Sequence, residues 1–345
     1  MHPEVIPGWP LHSYGLMLVV AFYSAYFLSR RTAKKEGVHP DRMIDILVIG
    51  ALLGIIGARA FFVLQYGVSS FWQVFAIWRG GLVFYGGLVL ATVGLIAYIR
   101  KKKLPLRRLA DAAAPAIMLG LGFGRIGCFL NGCCWGAVAP ETFPLAVRFP
   151  RFVATSTFQP DRESEGRAKG RWRVFVRTGA AEQAMSPEQA RRLYRDAPDR
   201  EDLSFIWIRD TRLPDGRVRQ ERIEGSPAFR QHLLLYPDRI SPDDHWSLPV
   251  HPTQLYSSFS GFLICGLLLL WRRRRRRPGE VFALMGCLYA IARFSIEFVR
   301  NDTPPIWFGL NMGQLVGLPV FLVALAAFVY CRARPATLDK RDRPS

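Results

Sequence analysis

The sequence predicts an all-α polytopic membrane protein with seven transmembrane helices, its N-terminus outside and its C-terminus inside, and a small α+β extracytoplasmic head. Long apolar runs alternate with blocks of charge along 345 residues, of which 50% are hydrophobic and 21% charged. Basic residues outnumber acidic ones by 46 to 27, and the excess gathers in a few loops. A content of 24 Phe and 9 Trp with only 6 Cys excludes a disordered chain and a disulfide-rich scaffold.

Seven apolar segments are long enough to cross a bilayer, because about 20 apolar residues span a hydrocarbon core of about 30 Å. The segments are residues 13–29, 43–65, 81–99, 111–131, 253–271, 280–298 and 312–331. The first is not typical of a cleaved signal peptide, since residues 1–11 carry no Lys or Arg and the basic cluster follows the apolar run.

The distribution of basic residues orients these segments. With seven crossings, four basic clusters fall on one side of the membrane, and the short loops of the other side hold only Arg79 and Arg300. The clusters are 30–42, 100–108, 272–277 and the tail 332–345, with 5, 6, 6 and 5 Lys or Arg. The positive-inside rule therefore predicts an external N-terminus. The six arginines at 272–277 are interpreted as a stop-transfer signal in contact with anionic lipid rather than a nucleic-acid site, because no aromatic residues alternate with them.

A polar insert, residues 137–250, separates the fourth and fifth segments and is predicted to lie outside. It holds 19 basic and 17 acidic residues. Alternating side chains at 171–176 predict a strand, residues 204–223 predict a hairpin, and Ser186 before Pro187 predicts a helix start. The predicted domains are helices one to four (1–136), the head (137–250), helices five to seven (251–331) and a basic cytoplasmic tail (332–345).

Three arginines, Arg59, Arg125 and Arg293, fall inside predicted spans. A cation at bilayer depth costs at least about 2.5 kcal/mol and usually marks a polar, functional path. Each lies roughly 13–16 residues past the inner end of its span, which at about 1.5 Å per residue reaches the outer half of the bilayer. This excess of positive charge predicts an anionic ligand, most simply a phospholipid head group, because planar guanidinium groups bind phosphate through paired hydrogen bonds.

Further polar side chains are predicted in the same layer. They are Tyr14, Tyr85, His251, Gln254 and Tyr256. On the sixth span, Tyr289, Arg293, Glu297 and Arg300 share one helical face because they stand 4, 4 and 3 residues apart. A simple ion pair between Arg293 and Glu297 is the alternative, but it does not account for the other arginines. Residues 122–127 match G-x-G-x-x-G, yet no strand precedes them, so close helix packing is the preferred interpretation.

Six stretches of the chain carry a family resemblance when taken together. They are LHSYGLM (11–17), GAR (57–59), GGLVFYGGL (80–88), GRIGCFLNGCCWG (124–136), HPTQLY (251–256) and YAIARFSIEF (289–298). In this order they resemble the prolipoprotein diacylglyceryl transferase family of bacterial membranes. The resemblance covers residues 11–136 and 250–331 and leaves the insert without a match.

The resemblance implies transfer of the diacylglyceryl group of phosphatidylglycerol to the lipobox cysteine of a preprolipoprotein, which forms a thioether and releases glycerol phosphate at the bacterial inner membrane. It implies that Arg125 and Arg293 hold the phosphate, beside the catalytic residues Tyr14, Tyr289 and Glu297. Tyr85 completes the expected catalytic set. The other expected substrate-binding residues are Arg59, Cys128, Cys133, Gly136, His251 and Gln254. No cofactor, metal or nucleic acid is expected.

Three positions depart from the family pattern. Tyr85 stands where the family commonly has His, and Cys128 and Cys133 stand where it has Asn and Glu. Because an unperturbed tyrosine has a pKa of about 10, it is a poor base at neutral pH. The general base is therefore left open or passes to Glu297.

The cysteines Cys128, Cys133 and Cys134 have several interpretations. Packing or a local disulfide, with Cys128 bonded to Cys133 or Cys134, is preferred to a reactive thiol. Metal binding is disfavoured because no His, Asp or Glu stands at ligand spacing nearby. Cys265, Cys287 and Cys331 are predicted core residues.

Two rival functions remain at this stage. One is a diverged family member with altered thiol or lipid chemistry. The other is a non-catalytic phospholipid-binding or transport protein that uses the same arginines. No internal repeat, which many transporters contain, relates residues 13–131 to 253–331.

Overall fold

The computed structural model describes residues 13–67, 71–75, 81–158, 169–178, 181–196, 203–225, 227–300 and 309–333. Arg79 and all but the start of the predicted basic tail lie outside these residues. The chain divides into two compact units. The helical unit is built on Gly15–Gly127, Leu255–Phe298 and the C-terminal helix, and the head unit is built on Cys128–Gln254.

A long helix forms at each of the seven apolar segments. These helices are α1 (Ser13–Lys35), α2 (Arg42–Tyr66), α3 (Phe84–Lys101), α4 (Leu106–Asn131), α7 (Thr253–Trp271), α8 (Glu280–Glu297) and α9 (Met312–Ala333). Among the described residues, α2, α3, α4, α7 and α9 are long and apolar enough to cross a membrane. Leu64, Val323 and Phe259 are 83%, 70% and 68% exposed, as expected of side chains that face lipid rather than water. The chain is a multi-pass membrane protein.

Glycines let α2 and α3 pack with their backbones in contact. A Cβ at Gly57 would lie 2.5 Å from the Gly86 carbonyl oxygen, and a Cβ at Gly87 would lie 2.6 Å from that of Gly54. Small residues on facing helices permit this approach in membranes, where packing replaces the hydrophobic drive for association. The contact fixes the start of α3, where Tyr85 precedes the glycine pair.

Buried carboxylates connect the helices of this unit, and we call Glu36, Asp111, Glu280 and their partners the acidic network. Arg272 donates to Glu36 at 2.5 Å, and Arg275 donates both to Glu36 and, at 3.0 Å, to Asp111. Both arginines belong to the run that was interpreted as a stop-transfer signal in contact with lipid. For these two residues the structure corrects the predicted lipid contact, because their guanidinium groups bind the carboxylates of Glu36, which follows α1, and of Asp111 on α4.

The rest of the acidic network holds the start of α8. Asp111 accepts hydrogen bonds from the backbone N–H groups of Gly279 and Phe282, both at 2.8 Å. It therefore satisfies donors that a helix N-terminus cannot pair internally. Glu280, which is fully buried, forms an ion pair with Arg332 of α9, with 3.3 Å between Glu280 Oε1 and Arg332 Nη1.

The head unit contains a five-stranded antiparallel sheet in the order β1-β5-β4-β2-β3. Its elements are β1 (Arg151–Phe158), β2 (Lys169–Thr178), β3 (Ala181–Met185), α5 (Pro187–Asp196), β4 (Leu203–Arg212), β5 (Val218–Gly225) and α6 (Pro227–Leu235). The predicted strand, hairpin and helix start are confirmed. Ser186 and Gln189 form a capping box at the start of α5, in which the side-chain oxygen of each accepts a hydrogen bond from the backbone N–H of the other. Phe229, Leu233 and Trp207 pack in the core of this unit.

Candidate functional site

Arg293 and Glu297 form an ion pair one turn apart on α8. Arg293 Nη2 lies 2.9 Å from Glu297 Oε2, and the Glu297 side chain is completely buried while that of Arg293 is 23% exposed. A buried charge is tolerated only when a partner compensates it. A simple ion pair was one of the two interpretations of the face of α8 that carries Arg293 and Glu297, and this ion pair is present in the structure.

The N-terminus of α9 receives the Glu297 carboxylate. A Cβ on Gly313 would lie 2.9 Å from the Glu297 carboxyl carbon, so glycine is needed there. The Gln314 backbone N–H donates to Asn311 Oδ1 at 3.0 Å, and the Asn311 backbone N–H donates to Gln314 Oε1 at 3.2 Å. Together these two bonds cap the helix. The positive end of the helix dipole stabilises the carboxylate charge.

Arg125 lies on α4 one turn after a close helix contact. A Cβ on Gly122 would meet the ring of Phe262 at 2.5 Å, and Ser258 donates to the Gly122 carbonyl at 2.9 Å. Arg125 is half-buried, and the hydrogen bonds and ion pairs between described residues do not include it. A half-buried guanidinium without a protein counter-charge in the described part of the chain is suited to an external anion.

Arg59 has a different environment. It is 8% exposed, donates from Nε to the Val74 carbonyl at 3.0 Å and from Nη1 to the Gly81 carbonyl at 2.9 Å, and stacks over Phe62. Gly81 has φ +75°, and a Cβ there would lie 2.9 Å from Arg59 Nη1. These contacts anchor the loop before α3 to α2. The predicted substrate contact of Arg59 stays a prediction.

The predicted tyrosines are partly open to their surroundings. Tyr85, Tyr289 and Tyr14 are 46%, 36% and 38% exposed. Tyr85 and Tyr289 belong to the helical unit with Arg59, Arg125, Arg293 and Glu297, whereas Tyr14 belongs to the head unit. Their roles in catalysis stay predictions.

His251, Gln254 and Gly136 meet within the head unit. Gly136 donates its N–H to the His251 carbonyl at 2.9 Å, and a Cβ on Gly136 would collide with that oxygen and with Thr253. The His251 ring lies 4.5 Å from that of Phe143. Gln254 is 1% exposed and donates from Nε2 to the Cys133 carbonyl at 2.6 Å. The structure therefore gives Gly136 and Gln254 contacts that fix the backbone after α4.

Cys128, Cys133 and Cys134 come together at this point of the head unit. Their Sγ atoms all lie within 4.8 Å of one another, and the structure contains them as thiols. The predicted disulfide between Cys128 and Cys133 or Cys134 is therefore absent. Hydrogen bonds with Cys128 and Cys134, together with burial, raise the pKa of the Cys133 thiol above its usual range.

Three supporting residues were missed from the sequence. Asn311 and Gln314 fit the capping pattern before an apolar run, so the start of α9 was predictable, but its position at Glu297 was not. Gly313 was likewise missed because a single glycine in an apolar span has no specific local meaning. These three residues hold Glu297 rather than contacting a ligand themselves.

Comparison with known proteins adds independent information. A family model described as prolipoprotein diacylglyceryl transferase matches residues 4–330. A phosphatidylglycerol–prolipoprotein diacylglyceryl transferase of Chromohalobacter salexigens is 29% identical over 97% of this chain and 95% of its own length. Proteins of the same name from Burkholderia cenocepacia and Proteus mirabilis are each 27% identical over 94% of this chain and 91% and 89% of their own lengths. This chain belongs to the prolipoprotein diacylglyceryl transferase family.

Proposed function

We propose that the protein transfers the diacylglyceryl group of phosphatidylglycerol to the lipobox cysteine of preprolipoproteins. The family match over residues 4–330 carries this proposal, because it includes both the helical unit and the head unit. The relatives that match over nearly their whole length are named for this substrate pair. The arginines at positions 125 and 293 support the same reaction, because the lipid carries its charge on the phosphate and arginine binds phosphate well.

The reaction exchanges one bond to carbon for another. The peptide thiol loses its proton to a base, and its sulfur bonds to the glyceryl carbon that carries the phosphate. In the same step the bond from that carbon to the phosphate oxygen breaks, and its electron pair stays on the oxygen. The products are a thioether and glycerol phosphate. The nucleophile must be a thiolate, and the leaving phosphate needs its growing charge stabilised.

Arg125 and Arg293 stabilise that charge. Bidentate hydrogen bonds from guanidinium groups to phosphate are strong because both partners are charged. The Arg293–Glu297 ion pair and the cap of α9 support this role, since they keep one arginine preorganised. Tyr14 and Tyr289 provide phenol groups that donate hydrogen bonds to lipid oxygens.

Glu297 is the proposed general base. Tyr85, which replaces the family's usual histidine, orients substrate instead. Cys133, which stands where the family has glutamate, is not assigned the role of base. Arg59, His251, Gln254 and Gly136 shape the site through the backbone contacts described above.

The proposed topology has seven membrane helices, an external N-terminus and an extracytoplasmic head, in the inner membrane of a bacterium. The strongly one-sided distribution of Lys and Arg supports it. Reporter fusions after residues 35, 105, 200 and 275 are expected to report inside, inside, outside and inside. An inside signal at residue 200 would contradict the proposal.

A transfer assay tests the function directly. Purified protein is incubated with phosphatidylglycerol labelled in its acyl chains and a lipobox peptide, and the peptide is analysed by mass spectrometry. We expect a diacylglyceryl thioether on the peptide cysteine and none on a Cys-to-Ser peptide. Binding of the labelled lipid without any product would favour the non-catalytic lipid-binding alternative.

A further inference from the structure

We call Cys128, Cys133 and Cys134 the three-cysteine cluster. None of the bonds made or broken in the proposed transfer involves its thiols. Its three Sγ atoms lie within 4.8 Å of one another, and each residue is partly buried. Metal–sulfur bonds are about 2.3 Å long, so the sulfurs around one ion lie at most about 4.6 Å apart, and small side-chain rotations bring all three thiols of the cluster onto one ion.

The end of α4 creates the cluster through its backbone. Gly132, at φ +71°, donates to the Phe129 carbonyl, and Cys133 N–H donates to the Cys128 carbonyl, both at 3.1 Å. This is the Schellman motif, in which the residue after the glycine contacts the residue five positions earlier. Cys128 and Cys133 occupy these two positions. Their contact therefore follows from the helix ending at Asn131-Gly132.

Cys134 joins them through an unusual conformation. Its φ is +58°, in the left-handed region that residues other than glycine rarely adopt. Thr253 Oγ1 donates to the Cys134 carbonyl at 2.8 Å, while Gln254 Nε2 donates to that of Cys133 at 2.6 Å. These buried side chains fix both peptide groups, so little conformational entropy remains to be lost when the thiols bind a ligand.

Gln254 supplies a second observation that points to a ligand. Its Oε1 atom is buried and has no hydrogen-bond partner among the described residues, although Nε2 of the same amide is bonded to the cluster backbone. A buried acceptor left without a partner is costly, on the order of 1–3 kcal/mol. Such an oxygen can bind a metal ion or a water held by one.

We propose that the three-cysteine cluster binds one thiophilic metal ion, Cu(I), as a tris-thiolate. Soft sulfur ligands select Cu(I) and zinc, and structural zinc sites almost always use four protein ligands, whereas this cluster offers three sulfurs. On binding, the S–H bonds break, Cu–S bonds form and the protons leave to solvent. The oxidation states of copper and sulfur do not change.

Cu(I) titration of the purified full-length protein in detergent, under reductant and without oxygen, tests the proposal. Competition with a chromophoric Cu(I) chelator is expected to give one Cu(I) per chain. Cys128→Ser, Cys133→Ser and Cys134→Ser should each weaken binding at least tenfold. Cys265→Ser and Cys287→Ser, in the cores of α7 and α8, are matched controls that should bind Cu(I) as the wild type does.

A second measurement needs no variant. Bound Cu(I) is expected to protect Cys128, Cys133 and Cys134 of the wild-type protein from iodoacetamide, with the sites identified by mass spectrometry. Equal alkylation with and without Cu(I) would overturn the proposal. So would a triple-serine variant that retains one Cu(I), or a wild type that retains Zn(II) but not Cu(I).

Discussion

The helical unit contains two sets of buried charges that are composed differently. In the acidic network, three arginines pair with three carboxylates. Backbone N–H groups donate further hydrogen bonds to these carboxylates. The set assigned to the lipid contains Arg59, Arg125 and Arg293 together with the carboxylate of Glu297, which pairs with Arg293. The first set is neutral as a whole, and the second has an excess of positive charge. A balanced set stabilises the fold, whereas an unbalanced one is suited to an ion from outside.

The largest expected effect comes from breaking the balanced set. Asp111→Ala leaves Nη1 of Arg275 and the first N–H groups of α8 without their carboxylate, although Arg275 keeps Glu36; removal of one partner from a buried pair costs about 3–5 kcal/mol. The thermal midpoint in detergent should fall sharply, and folded protein should be scarce. Asp41→Ala is the control, since that carboxyl side chain is 66% exposed. A wild-type midpoint for Asp111→Ala would show that the network is not structural.

A third kind of buried ionisable group stays neutral instead of being paired. Burial and nearby Arg239 lower the pKa of His232 in the head unit from 6.5 to about 4. Between these values the unfolded chain binds the proton and the folded head does not, so stability falls as the pH is lowered from 6.5 towards 4. The loss should reach about 3 kcal/mol, and His232→Gln should reduce this part of the pH dependence. Thermal midpoints measured from pH 7 to pH 4.5 check it; identical slopes in both proteins would contradict it.

Changes to the unbalanced set should affect activity rather than stability. Arg125→Lys and Arg293→Lys keep the charge but lose the paired hydrogen bonds, so transfer should fall at least tenfold, which is about 1.4 kcal/mol in the barrier. The thermal midpoint of Arg125→Lys should not change. Initial rates of transfer with labelled lipid measure the effect. Full activity in both lysine variants would make the arginines structural.

The smallest expected effect concerns the cap that supports Glu297. Asn311→Ala should cost about 1 kcal/mol of stability and lower transfer a few-fold, because Glu297 rests against this helix end. Ser186→Ala removes an equivalent capping box from α5 in the head unit and serves as the matched control. It should cost a similar stability without changing the transfer rate. If the two variants transferred lipid at equal rates, the cap of α9 would have no specific effect on Glu297, and the prediction would be wrong.

Features set by neighbouring residues were predictable from the sequence. The seven helices follow from long apolar runs, and the hairpin and the start of α5 follow from turn and capping residues. The Arg293–Glu297 pair follows from its four-residue spacing. The contact between Cys128 and Cys133 was predictable as well, because Asn131-Gly132 is a helix-ending sequence.

Features that join distant residues were not predictable. Arg275 and Glu36 are 239 residues apart, and no local pattern distinguishes a paired arginine from its neighbours in a run of six. The contacts of Arg59 with the loop carbonyls depend on how that loop folds back on α2. The disulfide prediction failed for a related reason: proximity of the cysteines was inferred correctly, but proximity alone does not determine their redox state.

The acidic network also constrains the order of events during synthesis. Asp111 is made 164 residues before Arg275, and Glu36 is made 239 residues before it. At about 5–20 residues per second, Asp111 exists for roughly ten to thirty seconds without the arginine that neutralises it. The end of α1 and the start of α4 therefore gain these partners only after the fifth membrane helix has been made, so this part of the helical unit is completed late in synthesis.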